Sequence, residues 1–132
     1  MKGERVLIDT SVWIDYFRKG AGRLSEKVDE ILNISEVSVP KVVIAELFQG
    51  AKSEKEVSVI TDFMEAFRII DQSENTWIKA GRLSFRMKRK GITVPIVDCY
   101  ISVIASEQGC KIFSLDKHFQ VIRRYSDIGL IV

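Results

Sequence analysis

Five short runs, RVLID (5–9), EVSV (36–39), RIID (68–71), KIFSL (111–115) and GLIV (129–132), recur along the chain with longer helix-like segments between them. Each is rich in β-branched or aliphatic residues and too brief for a helix, so each reads as a strand. Strands that are mostly apolar, and separated every time by helices, have to be covered on both faces. The pattern therefore predicts an α/β fold with a short central parallel sheet flanked by helices on both sides.

The intervening segments carry helical signals. Trp13, Tyr16 and Phe17 fall on one face of a helix over 11–19, which Gly20 and Gly22 stop. Further helices are expected over 24–34 with Ser25 as a cap, over 42–50 ending at Gly50, and over 53–67, where SEKE places acids in the first turn. A long helix begins at Ser73 or Asn75, runs to Lys90 and stops at Gly91. Its buried face is expected to carry Trp77, Ile78, Leu83 and Phe85 or Met87. Helices over 98–108, closed by Gly109, and over 118–124 complete the series.

A length of 132 residues closes one hydrophobic core, so residues 1–132 are read as a single domain. The 46% hydrophobic and 29% charged content excludes a disordered chain or a disulfide scaffold. No apolar run approaches the ~20 residues of a membrane-spanning helix. The start, MKGERVLID, places charges ahead of a very short apolar segment, unlike a secretory leader, so a cytoplasmic protein is expected. Cys99 and Cys110 lie among apolar neighbours without CxxC spacing and are expected to be buried thiols.

Four carboxylates stand where packing alone would favour something else. Asp9 follows VLI, Asp116 follows KIFSL, Asp98 follows PIV and opens DCYISVIA, and Glu46 lies inside VVIAELF. An ionised carboxylate taken out of water without a partner is strongly disfavoured. Yet positions 42, 43, 49 and 50 around Glu46 are Val, Val, Gln and Gly, and 94, 95, 101 and 102 around Asp98 are Val, Pro, Ile and Ser. Neither acid has a base one helical turn away. The carboxyl ends of parallel strands share one edge, where ligands bind. Asp9 and Asp116 are expected to meet there, with Asp98 and Glu46 brought in by helices. Such a set of hard oxygen ligands suits Mg²⁺ or Mn²⁺.

Plainer roles compete with this one. Asp9, Asp98 and Asp116 can each cap a helix, and Glu46 can sit at an exposed edge. Ser11 and Ser114 are either caps or hydroxyls that orient the neighbouring acids. His118 is the sole histidine, and with no GxSxG elbow it reads as a solvated helix residue able to touch a phosphate near Asp116. Neither GxxxxGK[ST] nor GxGxxG is present. The net charge is only +2, but Lys79, Arg82, Arg86, Lys88, Arg89 and Lys90 form a run free of acids, and Lys117, His118, Arg123 and Arg124 form a second. Such runs are solvated helix faces unless they flank the acids, where they supply phosphate contacts.

IDTSVWIDYF, VVIAELFQGA, VPIVDCYISVIA and IFSLDKHF, in this order, span essentially the whole chain. On these segments the chain resembles the PIN-domain ribonucleases, and most closely the VapC-type toxins of bacterial and archaeal toxin–antitoxin pairs. The resemblance implies a single PIN-like domain and a Mg²⁺- or Mn²⁺-dependent endoribonuclease. Asp9, Glu46, Asp98 and Asp116 match the catalytic acids, with Asp9, Asp98 and Asp116 as metal ligands. Ser11 matches a hydroxyl beside the first acid, and Ser114 stands where threonine is frequent. His118 stands where another acid is frequent, which puts an outer metal position in question. The resemblance further implies an RNA substrate, a cognate antitoxin protein and a homodimer, with Arg82, Arg86, Arg89, Lys117 and His118 as candidate RNA contacts.

Other classes stay open at this point. A phosphoacceptor receiver domain also gathers acids at a sheet edge, although Glu46 inside an apolar helix suits it poorly. A PIN-like binding module would gain nothing from concentrating negative charge where phosphate must approach. A DNA nuclease and an RNA-processing PIN nuclease outside toxin–antitoxin systems remain within the enzyme class.

Overall fold

The structure is a computed structural model that describes residues 3–19 and 21–131. β1 (Arg5–Ile8) lies at the centre of the sheet, between β2 (Glu36–Pro40) and β4 (Cys110–Phe113), with β3 (Arg68–Ile70) and β5 (Gly129–Leu130) at the edges. Every pairing is parallel, and Leu7 faces Ser38 on one side and Ile112 on the other. Val6, Leu7, Ile8, Val37, Val39 and Ile112 are all buried, so the central strands are covered on both faces.

α1 (Thr10–Lys19), α2 (Arg23–Ile34), α3 (Lys41–Gln49) and α4 (Glu54–Met64) link β1, β2 and β3 in turn. α5 (Thr76–Arg89) and α6 (Ile96–Gln108) carry the chain back across the sheet to β4, and α7 (His118–Ile122) leads to β5. The chain thus steps outward in one direction through β3 and in the other through β5. Right-handed crossovers then put α1–α4 on one face and α5–α7 on the other. The order reverses between β1 and β4, and at such a point the strand ends leave a crevice for ligands.

Trp13, fully buried, packs with Tyr16 and Phe17 of its own helix and with Phe63 and Phe67, ring centroids 5.6–6.0 Å from its own. The aromatic face of α1 is therefore core. Cys99 and Cys110 are buried free thiols, as expected.

Several details differ from the sequence reading. The buried stripe of α5 is Thr76, Ala80, Leu83 and Met87, while Trp77, Ile78 and Phe85 are exposed. Trp77 lies against the ring of Tyr100 instead, centroids 4.2 Å apart. Ser25 is buried inside α2, whose N-cap is Gly22. α4 ends at Met64 and α7 at Ile122, and β4 stops at Phe113 because Ser114 turns toward Asp9. Gly20 and Val132, parts of an expected helix stop and of the last strand, lie outside the described residues.

Candidate active site

The site is built at the reversal point. The backbone N–H of Asp9 still donates to Phe113 (2.9 Å), continuing the sheet, while its carbonyl accepts from Val12 and Trp13 and opens α1. The Asp9 main chain therefore serves the helix start, and its carboxylate is free to do something else. Oδ2 accepts from Ser114 Oγ at 2.7 Å and Ser11 Oγ at 3.1 Å, and Asp9 is 6% exposed. Ser114 Oγ in turn accepts from the Asp116 N–H at 2.9 Å, tying the ends of β1 and β4 together.

Asp98 does not cap a helix. It stands in the first turn of α6, whose N-cap is Pro95, and its side chain is directed at His118, with Nδ1 2.8 Å from Asp98 Oδ2. The same nitrogen lies 3.0 Å from Asp116 Oδ1. Asp116 Oδ1 also accepts from the His118 N–H (2.9 Å), fixing the turn into α7, whose N-cap is Lys117 and not Asp116. Metal-ligand atoms of Asp98, Asp116 and His118 all lie within 4.8 Å of one another. His118 is thus part of the acid cluster and not merely a solvated helix residue.

Electrostatics connect the third aspartate to this group. Burial pushes the Asp98 carboxyl up to about 6, and the charges of Asp116 and Asp9 push the same way, against the hydrogen bond from His118. The hydrogen bond to Asp98, together with the Asp116 charge, raises the His118 imidazole above its usual value. Among the described residues, no Lys or Arg pairs with Asp9, Glu46, Asp98 or Asp116. Half-buried Glu46 comes in from α3, its Oε1 accepting from Thr10 Oγ1 at 2.8 Å.

The PIN domain family model matches residues 6–125. The chain belongs to the PIN domain family. Ribonuclease VapC1 of Methanocaldococcus jannaschii is 28% identical over 122 residues, covering 92% of this chain and 83% of that protein. Among solved structures, VapBC2 from Rickettsia felis, bound to a DNA fragment from their promoter, superposes with a TM-score of 0.80 at 18% identity, over 96% of this chain and 97% of that one. DNA-bound VapBC from Salmonella typhimurium gives 0.78 at 20% identity, over 98% of each chain. Family membership sets the receiver-domain reading aside.

Within this PIN domain the donor set fits a divalent cation: ligand atoms of Asp98, Asp116 and His118 lie together, the charge of Asp9 acts on Asp98, and among the described residues no Lys or Arg pairs with these acids, whose carboxylate oxygens Mg²⁺ and Mn²⁺ favour. One participant was missed in the sequence, Thr10, which bonds Glu46, while His118, expected as a phosphate contact near Asp116, lies between two of the acids. The spacing of two between Asp116 and His118 was the available signal for His118.

The basic candidates divide. Lys117 and His118 adjoin Asp116 in the chain, and Arg89 ends α5 on the side from which 90–95 leads into α6 and Asp98. Arg82 and Arg86 line a separate groove with Val103, Ser106 and Glu107, toward the far end of α6.

Proposed function

We propose that this PIN domain is a metal-dependent endoribonuclease that cleaves RNA phosphodiester bonds, acting as the toxin of a toxin–antitoxin pair. The observation that carries the reading is the cluster of Asp98, Asp116 and His118 at the strand reversal, with the Asp9 charge acting on Asp98 and Glu46 bonded to Thr10, the residue after Asp9. Relatives named VapC ribonucleases, and the VapBC complexes that share the fold, support it.

Asp9, Asp98 and Asp116 would hold Mg²⁺ or Mn²⁺. When bound, the ion supplies positive charge to the phosphate oxygens and acidifies water. The remaining work belongs to the chain. Ser11 and Ser114 keep Asp9 in one orientation, and Thr10 occupies one Glu46 oxygen, leaving the other to orient the attacking water and accept its proton. The water oxygen bonds to phosphorus, a P–O bond of the backbone breaks, and the departing ribose oxygen takes a proton from solvent. An antitoxin protein as inhibitor, a homodimer and a cytoplasmic setting belong to the same reading.

The test is cleavage of labelled single-stranded RNA with Mg²⁺ or Mn²⁺. Asp9→Asn, Asp98→Asn and Glu46→Gln should each lose at least ~100-fold in rate, and EDTA should abolish wild-type activity. Equal activity in all the proteins, or indifference to EDTA, would sink the assignment. Suppression by the product of an adjacent small reading frame, co-purified with this chain, separates a toxin from a processing nuclease.

A further inference from the structure

A second groove opens directly beside the acids, on the outer side of Asp116. It runs between α7 and the end of β5, is lined by Ser114, Asp116, Gln120, Arg123, Leu130 and Ile131, and encloses about 310 Å³. That volume is at the small end of the ~300–1,000 Å³ over which proteins enclose small ligands, and it suits a nucleotide better than a folded RNA helix. Two of the lining residues, Ser114 and Asp116, are already members of the acid site. Whatever chain lies over the acids therefore has this groove as its continuation.

The periodicity of α7 determines what the groove presents. Phe119 and Ile122 are buried at 1% and 0% exposure, so Gln120 and Arg123, three apart, share the outward face. Neither side chain has a hydrogen-bond or ion-pair partner among the described residues. Leu130 and Ile131 give the opposite wall an apolar surface. An unpaired guanidinium, an unpaired amide and an apolar wall match the three parts of a nucleotide: phosphate, base edge and base face. Arg123 also meets an electrostatic need, since the acid cluster alone repels the phosphates it must accommodate. The groove along α5 answers that need less well. It lies toward the far end of α6 from Asp98, and Lys79 there is already paired with Glu107 at 3.2 Å.

We propose that the α7–β5 groove is the nucleotide subsite flanking the scissile phosphate, in which Arg123 grips the adjoining phosphate and Gln120 reads the base. This rests on the ribonuclease reading above and adds a substrate-positioning site to it. Binding of a fluorescein-labelled, mixed-sequence single-stranded RNA is measured by anisotropy in an Asp98→Asn background across a salt series, and wild-type cleavage of the same pool is sequenced. Arg123→Ala should weaken binding about tenfold and lower the slope of log K against log salt by about 0.7, one phosphate contact. Arg123→Lys should restore the slope. Gln120→Ala should leave the slope as it is and flatten the base preference at one position beside the cut. Wild-type cleavage with an Arg123→Ala slope equal to that of its parent overturns the subsite alone, as does a loss confined to Arg82→Ala. An unaltered cleavage pattern in Gln120→Ala overturns base reading by that residue. A wild-type chain that cleaves no RNA with either metal overturns the ribonuclease reading and this subsite with it.

Discussion

Ser114 is the residue through which the two central strand ends are coupled. It donates to Asp9 Oδ2 and accepts from the Asp116 N–H, so one hydroxyl orients a carboxylate and fixes the turn that presents another. Ser114→Ala leaves Asp9 with Ser11 alone. Initial rates of RNA cleavage at saturating metal should fall about 10–100-fold, the usual effect of removing a group that orients a metal ligand. Circular dichroism should be unchanged, and Ser114→Thr, which keeps the hydroxyl, should recover most of the rate. At this scale the sequence shows which acids lack a local base and says little about how they are held. Unpaired acids behind apolar runs are visible in one dimension. The Thr10–Glu46 and His118–Asp98 contacts join residues 36 and 20 apart, and no local pattern encodes them. Asp98 read equally well as a cap because PIV resembles a strand end, whereas Pro95 starts the helix one turn earlier.

Among the elements, α5 shows what patterning can and cannot settle. Its large apolar residues, Trp77, Ile78, Leu83, Phe85 and Met87, do not lie on one face, and weighting by size adds the exposed Trp77, Ile78 and Phe85 to the buried Leu83 and Met87. Spacing selects correctly: 76, 80, 83 and 87 repeat by four, three and four, and the small Ala80 permits close approach to α6. The strands and the order of elements were legible because a fully covered parallel sheet leaves a plain apolar signature. The start of α5 is pinned by Glu107 of α6, which accepts hydrogen bonds from Ser73, Thr76 and Lys79. Burial pushes the Glu107 carboxyl up, but those three bonds together hold it below the usual range. A depressed folded value means the stabilisation is present above the ordinary glutamate pKa of ~4.3 and is lost as pH falls through the folded value. Glu107→Gln should therefore lower urea stability at pH 7 by about 1–3 kcal/mol. It should also flatten the decline of stability between about pH 5 and 3, where the unfolded carboxyl takes up its proton ahead of the folded one.

For the whole molecule, the reversal of strand order brings together groups that no local force would assemble. α1–α4 and α5–α7 cover opposite faces of the sheet, and acids come from both halves of the chain: Asp9 and the Thr10-bonded Glu46 from one, the clustered Asp98 and Asp116 from the other. With no Lys or Arg among the described residues pairing to any of them, folding must oppose their repulsion with core packing, here the buried Trp13, Tyr100, Phe119 and their aliphatic neighbours. Function and stability are then in conflict at this site, as is common where an active site is preorganised. Asp98 concentrates the conflict, being 9% exposed and facing both Asp9 and Asp116. Asp98→Asn keeps the size and an oxygen to accept from His118 while removing one charge. The metal-free variant should melt above the wild type by about 3–5 °C, roughly 1 kcal/mol for a domain of this length, although it no longer cleaves RNA. Adding millimolar Mg²⁺ or Mn²⁺ should reverse the order. A ligand that binds only the folded state raises its stability in proportion to the logarithm of its concentration over Kd. Wild type should therefore gain several degrees, and Asp98→Asn little. Differential scanning fluorimetry with and without metal makes the comparison directly. A metal-free Asp98→Asn protein that melts below wild type would show that the acids are stabilised by contacts other than a cation.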